Sequence, residues 1–340
     1  MRLQDAVFAA GPTRVQTSDG KIHDLPGPDQ LSRDIAAAPV RYVLDDSCAA
    51  LVTHTAFAQK NTLDEALDLL RFPTTAFWIE WHDAGRAKVM NALGLGDPMA
   101  DPDKKGRIGA YVTADESGRR GEISILWEDT EFSANLSPFV IEFDFDDPSF
   151  AQAALGPALT RSVRLGDTDI LHDLYACARY KMREPWRNYY ETYSNNPGAF
   201  EAAIHLSIAS VAIDLPFIAA FVIVLSARGA LHYEPSRLAK LNAARARKGK
   251  QPLLDHVNVS LELDPDAASL NGGVSGADRG SPRLHHVCGH LVRRGDSLHW
   301  RRAHLRGNPA TGLINTRTVE VKTSQAPGGD AVIPFKRISR

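Results

Sequence analysis

The hydrophobic pattern in the first half of the chain alternates with a period of two residues. Four runs carry this alternation, which is typical of half-buried β-strands, and Gly, Asp and Pro residues separate them. The runs cover residues 75–81, 108–113, 123–127 and 139–145. We therefore predict an antiparallel sheet here, preceded by a strand and the start of a helix over residues 41–54.

Two other segments show the three- and four-residue spacing of amphipathic helices. The leucines of residues 62–71 indicate one helix. Leu171, Leu174, Tyr175 and Ala178 indicate a second helix over residues 170–192. The pattern therefore predicts one helix before the strands of the sheet and one helix after them along the chain.

The most apolar stretch, residues 206–225, is 20 residues long and carries one charge, Asp214. A stretch of this length is compatible with a membrane span. However, a carboxylate at its centre costs about 2.5–3.5 kcal/mol on insertion, and Pro216 removes a helix hydrogen bond. We therefore predict two consecutive buried helices within residues 198–227, with Asp214 near the start of the second, and we expect no membrane partner.

These elements predict an α+β fold of mostly antiparallel sheets, with a buried central helix pair and a C-terminal β-hairpin region. We expect three regions along the chain. An acidic mixed α/β region covers residues 1–170, a helical core segment covers 171–228, and a basic, histidine-rich region covers 229–340. Residues 264–282 are rich in Gly, Ser and Asp and are expected to form a flexible loop.

Three cysteines, Cys48, Cys177 and Cys288, are widely spaced along the 340 residues. An odd and sparse set argues against a disulfide framework and favours a reducing compartment. The N-terminal residues lack the apolar core of a signal peptide. We therefore expect a cytoplasmic protein, and the sequence leaves its oligomeric state open.

The two halves of the chain carry opposite charge, although the net charge is only −2. Residues 1–150 contain 14 Lys and Arg against 25 Asp and Glu, whereas residues 151–340 contain 25 against 16. Such asymmetry indicates contact with nucleic acid or another anionic surface. Docking of the two halves on each other would also account for it.

The strongest local basic signal lies in residues 228–250, where seven Lys and Arg stand against one acid, Glu234. Ser236 follows a proline and is a plausible helix start, and Gly249 is a plausible stop. We expect cations of this segment, with others from the hairpin that follows, to contact nucleic acid. The expected contact residues are Arg237, Lys240, Arg245, Lys248, Lys250, Arg301, Arg302 and Arg306.

Residues 283–306 are predicted to form a β-hairpin with its turn at Gly295-Asp296. Period-two alternation then separates two faces, and a slip of one residue would exchange them. The apolar face is expected to cover a core and carries Val287, Leu291, Leu298 and Trp300. The polar face carries His286, Cys288, His290, His299 and Arg301.

The polar face of the hairpin supports three chemical interpretations besides a simple solvated surface. Our leading interpretation is a surface whose arginines contact phosphate groups without chemistry. Alternatively, it is a metal-independent endoribonuclease site in which His286 and His290 act as base and acid and Arg301 stabilises the oxyanion. The third is a zinc site of His286, Cys288, His290 and His299. Its ligand spacing is not that of a zinc knuckle, so we expect no metal.

A second candidate metal site is the acidic run Glu142, Asp144 and Asp146, whose side chains share one face of a predicted strand and could hold Mg²⁺. A half-buried strand with a solvated acidic face is the simpler interpretation. The chain contains no Walker loop, dinucleotide-binding glycine motif, HExxH, nucleophile elbow or CxxC pair. We expect no cofactor, and a protein–protein module that uses the acidic half remains a further alternative.

Two stretches of the C-terminal third, residues 240–254 and 285–308, resemble a group of proteins encoded by phages, prophages and plasmids. The shared pattern is a basic segment ending in Gly-Lys-x-Pro-Leu, then a His-x-Val-x-Gly-His strand, a Trp, and a His-x-Arg-Gly end. The matching residues are Gly249, Lys250, Pro252 and Leu253, then His285 or His286, Val287, Gly289 and His290, then Trp300, His304, Arg306 and Gly307. The resemblance implies a mobile-element origin and no assigned biochemistry. Members commonly have Arg where Cys288 stands, which argues against a zinc role for this thiol.

Overall fold

The computed structural model describes most of the chain, and its contacts divide the chain into two compact units. Unit 1 comprises Met1–Asp264 and Gly289–Arg302, and unit 2 comprises Pro265–Cys288 and Ala303–Arg340. The predicted flexible loop at 264–282 lies outside the described residues. The described residues are 2–16, 20–95, 106–128, 134–153, 162–165, 168–193, 197–227, 230–261, 283–287, 290–295, 297–301, 304–306 and 308–314.

The described residues form an α+β fold, as predicted. The helices are α1 (Leu3–Ala6), α2 (Ser32–Ala37), α3 (Asp46–Phe57), α4 (Lys60–Glu65), α5 (Asp83–Ala92), α6 (Glu184–Tyr193), α7 (Pro197–Ala212), α8 (Asp214–Ser226) and α9 (Ala239–Ala246). The strands of unit 1 are β1 (Thr13–Gln16), β2 (Ile22–Leu25), β3 (Val40–Leu44), β4 (Ala76–His82), β5 (Arg107–Ala114), β6 (Arg120–Glu128), β7 (Ala134–Asp144), β8 (Ser162–Leu165), β9 (Thr168–Leu171), β10 (Ala178–Met182), β11 (Leu231–Pro235), β12 (Val257–Leu261), β14 (His290–Arg294) and β15 (Ser297–Arg301). Those of unit 2 are β13 (Arg283–Val287), β16 (His304–Arg306) and β17 (Asn308–Ile314).

Unit 1 is built on an eight-stranded mixed sheet with the order β10-β7-β6-β5-β4-β3-β12-β11. The strands from β4 to β7 form the predicted antiparallel meander. β3 pairs in parallel with both β4 and β12. The β3–β4 pair is parallel because the connection through α3 and α4 returns the chain to the same end of the sheet before β4 begins.

The main hydrophobic core lies on the sheet face that packs against α3 and α8. Its largest fully buried side chains include Phe77 and Trp81 from β4 and Phe217 and Phe221 from α8. The rings of Trp81 and Phe217 lie 4.4 Å apart between centroids. A smaller cluster around Trp78 packs beneath α1 on the opposite face.

The apolar stretch forms the end of α7 and most of α8, which confirms two consecutive helices. Ile208, Ala209, Val211 and Ala212 of α7 are buried, whereas His205 and Ser210 are exposed. Eleven successive residues of α8, from Asp214 to Val224, are buried. By length and composition alone, Ser207–Ser226 could cross a membrane, but 89% of an 18-residue apolar stretch within it is buried inside the protein. Core helices of soluble proteins pass the same test of length and composition.

Asp214, the single charge in that stretch, forms a buried ion pair with Arg86 from α5. Arg86 also donates to Asp83 at 2.8 Å, and the side chains of Arg86 and Asp214 are 11% and 4% exposed. Burial raises the pKa of the Asp214 carboxyl to about 6, while Arg86 acts in the opposite direction. The pair therefore joins α5 to the first turn of α8 in the interior.

The predicted helix over residues 170–192 is wrong for most of its length. The chain forms β9, a 3-10 turn over Asp173–Cys177 and β10 before α6 begins. Ala178, Tyr180 and Met182 are buried alternately and β10 pairs with β7, so the period there is two. Leu63 lies in α4, and Leu67 and Leu69 lie in a 3-10 turn, whereas Leu70 is already extended. The helix predicted over 62–71 is therefore confirmed only as two short pieces that end at Leu69.

Candidate nucleic-acid interface

The basic segment forms a closed excursion from the sheet edge, which we call the basic loop (residues 236–256). It leaves the end of β11 and returns to the start of β12, and these two strands pair antiparallel. At its base, the Ser236 N–H donates to the His256 carbonyl at 2.8 Å, and the His256 N–H donates to Ser236 Oγ at 2.9 Å. The strand pair therefore fixes both ends of the basic loop.

Helix α9 lies inside the basic loop, and the predicted glycine caps it three residues after Ala246. Gly249 has a φ of +63°, and its N–H donates to the Ala246 carbonyl at 3.0 Å. The Lys250 N–H donates to the Arg245 carbonyl at 3.0 Å. These two bonds and a left-handed glycine form a Schellman cap. The predicted helix stop is confirmed, and α9 begins three residues after the predicted start at Ser236.

The inner side of α9 is bonded to the returning limb of the basic loop. Asn242 donates through Nδ2 to the Leu253 carbonyl at 2.9 Å and accepts from the Leu253 N–H at 2.8 Å. Arg245 Nε donates to the Gln251 carbonyl at 2.8 Å. Because both side chains bond to backbone groups of the basic loop, the orientation of α9 within that loop is fixed.

The returning limb is also bonded to the N-terminal helix α1. Gln4 Nε2 donates to the Leu254 carbonyl at 3.0 Å, and the Asp5 carboxylate accepts from the Leu254 N–H at 3.0 Å. Burial raises the pKa of Asp5, and the Leu254 N–H opposes this shift. Arg41 of β3 donates through Nε to the Asp255 carbonyl at 2.6 Å.

Glu80 of β4 holds α1 in place. This carboxylate is fully buried and accepts from the Gln4 N–H at 3.1 Å and from Arg107 Nη1 at 2.9 Å. A carboxylate near the start of a helix satisfies an N–H that has no partner in the helix. Glu80 therefore links the sheet, through α1, to the basic loop.

The basic loop presents cations that the rest of the described protein does not neutralise. Its six Lys and Arg residues lie between Pro235 and Gln251, a stretch with no Asp or Glu. Among the described residues, the ion pairs of these cations are limited to Arg237 with Glu234 at 4.0 Å, and that Arg237 side chain is 90% exposed. The other five are Lys240, Arg245, Arg247, Lys248 and Lys250.

The acidic face of β7 is different, because arginines neutralise it. Phe143 and Phe145 are buried and alternate with Glu142 and Asp144, but β7 ends at Asp144, so Asp146 lies in the turn that follows and not on the strand. The three carboxylates are paired with arginines and partly exposed. These features fit a solvated acidic face better than they fit an Mg²⁺ site. The ion pairs are Arg179 with Glu142, Arg120 with Asp144 at 3.1 Å and Arg119 with Asp146 at 2.5 Å.

The C-terminal hairpin has the predicted register but is split between the two units. In unit 1, β14 pairs antiparallel with β15, and His290 lies opposite Arg301. Gly295, at the turn, has a φ of +59°. In unit 2, β13 pairs with β16, and Val287 lies opposite His304. The residue numbers of this pair have the same sum as those of His290 and Arg301, as the predicted register requires.

The two faces of the unit 1 hairpin also agree with the prediction. Leu298 is buried in the main core and Trp300 packs against it, whereas His299 and Arg301 are exposed. Arg293 anchors the hairpin, since its Nη1 and Nη2 donate to Asp68 at 2.9 and 2.7 Å. Hydrogen bonding to this arginine lowers the pKa of Asp68.

We expect Leu298→Ala to lower the free energy of unfolding by about 2 kcal/mol, because it removes buried methyl groups and leaves a cavity. His299→Ala, on the opposite face of the same strand, should change it by less than about 0.5 kcal/mol. Urea denaturation of both variants measures the difference. Equal losses would contradict the assignment of the two faces.

Several of the remaining predicted site residues, or their side chains, lie outside the described part of the chain. Cys288 and Arg302 are not among the described residues, and the side chains of His286, His290 and Arg306 are not described. The proposed catalytic and zinc sets therefore remain predictions. Within the described residues, no group of three or more His, Cys, Asp or Glu side chains lies together as a metal site would require.

The residues that position the basic loop were not predicted from the sequence. Asn242 had a local signal, because an Asn inside a short Ala- and Arg-rich helix often bonds to nearby backbone. Gln4, Asp5 and Glu80 had no such local signal, since their partners are distant in sequence.

Comparisons with protein-family models, curated proteins and solved structures find no match to this chain.

Proposed function

We propose that this protein binds nucleic acid through the basic loop. The observation that carries the proposal is the group of six Lys and Arg residues on a structurally fixed loop, with one weak ion pair among the described residues. Lys and Arg that neutralise phosphates release counterions, which is the main source of affinity for nucleic acids. A mobile-element origin, which the resemblance of residues 240–254 favours, is part of the proposal.

Neutralising the cations of the basic loop should weaken binding and reduce its salt dependence. The variant Lys240→Gln, Lys248→Gln, Lys250→Gln removes three exposed charges. The slope of log K against log salt should become shallower by about 0.9 for each lost contact with duplex DNA, or about 0.7 with a single strand. Fluorescence anisotropy with labelled DNA and RNA, between about 50 and 200 mM salt, measures both quantities.

A control variant with the same change in net charge separates a local site from general attraction. Arg33→Gln, Lys88→Gln, Arg187→Gln removes three exposed cations elsewhere in unit 1 and should leave the slope nearly unchanged. Failure of the wild-type protein to bind either nucleic acid at low salt would overturn the proposal and favour a protein partner. Cleavage of the RNA in EDTA would favour the endoribonuclease alternative.

A further inference from the structure

The outer face of α9 has a cation at each end and two alanines between them. Lys240, Ala243, Ala244 and Arg247 are spaced i, i+3, i+4, i+7, which places four side chains on one helix face. All four are exposed. The half-buried residues Leu238, Asn242 and Arg245 lie on the opposite side. The hydrogen bonds of Asn242 and Arg245 hold the opposite side of α9 against the basic loop, so this face lies outward, with the exposed Leu241 and Ala246 on its flanks.

The distance between the two cations matches the width of a DNA groove. Arg247 lies seven positions after Lys240, and a helix rises about 1.5 Å per residue, so their Cα atoms lie about 10.5 Å apart along the axis. The major groove of B-DNA is about 12 Å wide and has a row of phosphates on each rim. A helix across this groove would place one cation at each rim.

Further exposed cations lie next to both ends of α9 along the chain. Arg237 precedes α9, and Lys248 and Lys250 follow it, so each end carries at least two positive charges. The alanines between them are short, and their methyl groups can contact base edges such as the thymine methyl. The middle of the helix can therefore approach the groove floor closely without an acidic side chain to repel it.

We propose that α9 binds across the major groove of double-stranded DNA, with Lys240 and Arg247 on opposite phosphate rows. This inference rests on the proposed function and names its substrate class. Duplex RNA fits the face poorly, because the A-form major groove is deep and narrow. A single strand lacks the second phosphate row. The preference for duplex DNA thus comes from the charge spacing and the two alanines.

The test compares two glutamate substitutions in the full-length protein. Ala244→Glu places a carboxylate in the centre of the groove-facing side, and Ala246→Glu places the same charge on the flank of the same helix. Glu is a good helix former, and both positions are exposed, so both variants should fold. Circular dichroism and thermal melting check this. The probes are a DNA duplex of about 20 base pairs, roughly two helical turns, the matching RNA duplex and the single DNA strand.

We expect the DNA duplex to bind at least about tenfold more tightly than the RNA duplex or the single strand. Ala244→Glu should weaken duplex binding by about tenfold or more, since like charges brought together at an interface are costly, and Ala246→Glu by only about two- to threefold. The wild-type protein should also protect guanine N7, a major-groove atom, from methylation. Equal binding of the DNA and RNA duplexes with equal effects of both substitutions would overturn the inference but leave the proposed function standing. Failure to bind any probe would overturn both.

Discussion

Arg86→Met should lower the free energy of unfolding by about 3–5 kcal/mol at neutral pH. The substitution removes the partner of a buried carboxylate and keeps an apolar side chain of similar length, so the loss comes from leaving Asp214 unpaired. Arg86→Met combined with Asp214→Asn should recover much of the stability, because it removes the buried charge as well. Chemical denaturation of both variants measures these changes.

The pH dependence gives the Arg86 prediction a second readout. The folded-state pKa of Asp214, about 6, lies above its ordinary value of 3.8, so the stability from this group is present below about pH 4 and lost as pH rises towards 6. Without Arg86, which lowers this pKa, the loss should extend to higher pH. The free energy of unfolding that Arg86→Met loses relative to the wild-type protein should therefore be smaller at pH 5 than at pH 7. A deficit that does not change with pH would contradict a buried ionised pair.

An exposed arginine provides the control for this experiment. Arg187 lies on α6, about half exposed, and its nearest carboxylate oxygen, on Glu184, is 3.8 Å away. Exposed pairs of this kind contribute about 0–1 kcal/mol. Arg187→Met should therefore change stability by less than about 0.5 kcal/mol. A loss comparable with that of Arg86→Met would show that arginine replacement itself is harmful.

Gly121→Ala should lower the free energy of unfolding by about 3 kcal/mol or more. A Cβ at this position of β6 would overlap the Thr113 carbonyl oxygen and would lie 2.8 Å from the Ala114 Cα and 2.9 Å from Phe143 Cζ. Because two of these obstacles are backbone atoms of the paired strand β5, the sheet itself would have to move, which costs more than a side-chain adjustment.

Gly11→Ala is the matched control for the Gly121 variant. A Cβ added at Gly11 has no heavy atom within 4 Å among the described residues outside its chain neighbours. The same substitution should therefore change stability by less than about 0.5 kcal/mol. Thermal and urea unfolding of both variants would decide. A neutral Gly121→Ala would show that β5 and β6 are not paired in this register.

Local signals were sufficient to predict the hairpin and the end of α9. The alternation around Gly295 predicted both the strand partners and the buried position of Leu298, because strand side chains have a period of two and the turn fixes the register. The helix stop at Gly249 was predicted because a left-handed residue there costs glycine little. Neither feature depends on distant parts of the chain.

The error at residues 170–192 has a tertiary cause. Leu171, Leu174, Tyr175 and Ala178 fit a helix by spacing alone, yet they lie in three different elements. Leu171 is exposed in β9, Leu174 and Tyr175 are buried in the 3-10 turn, and Ala178 is buried in β10. β10 forms because the outer edge of β7 offers hydrogen bonds to a segment in which Tyr180 and Met182 alternate with polar residues. Hydrophobic spacing and helix propensity predict secondary structure poorly where an open sheet edge offers hydrogen bonds to the segment.

The sequence by itself determined which residues carry the positive charge, where α9 ends and which hairpin face is buried. These properties depend on residues that are near one another along the chain. Only the tertiary structure decided which side of α9 faces outward and where the basic loop is anchored. Asn242 and Leu253 fix the helix, and Gln4 and Asp5 bind a residue about 250 positions away. Such contacts follow from the burial of α1 against the sheet, which no local pattern specifies.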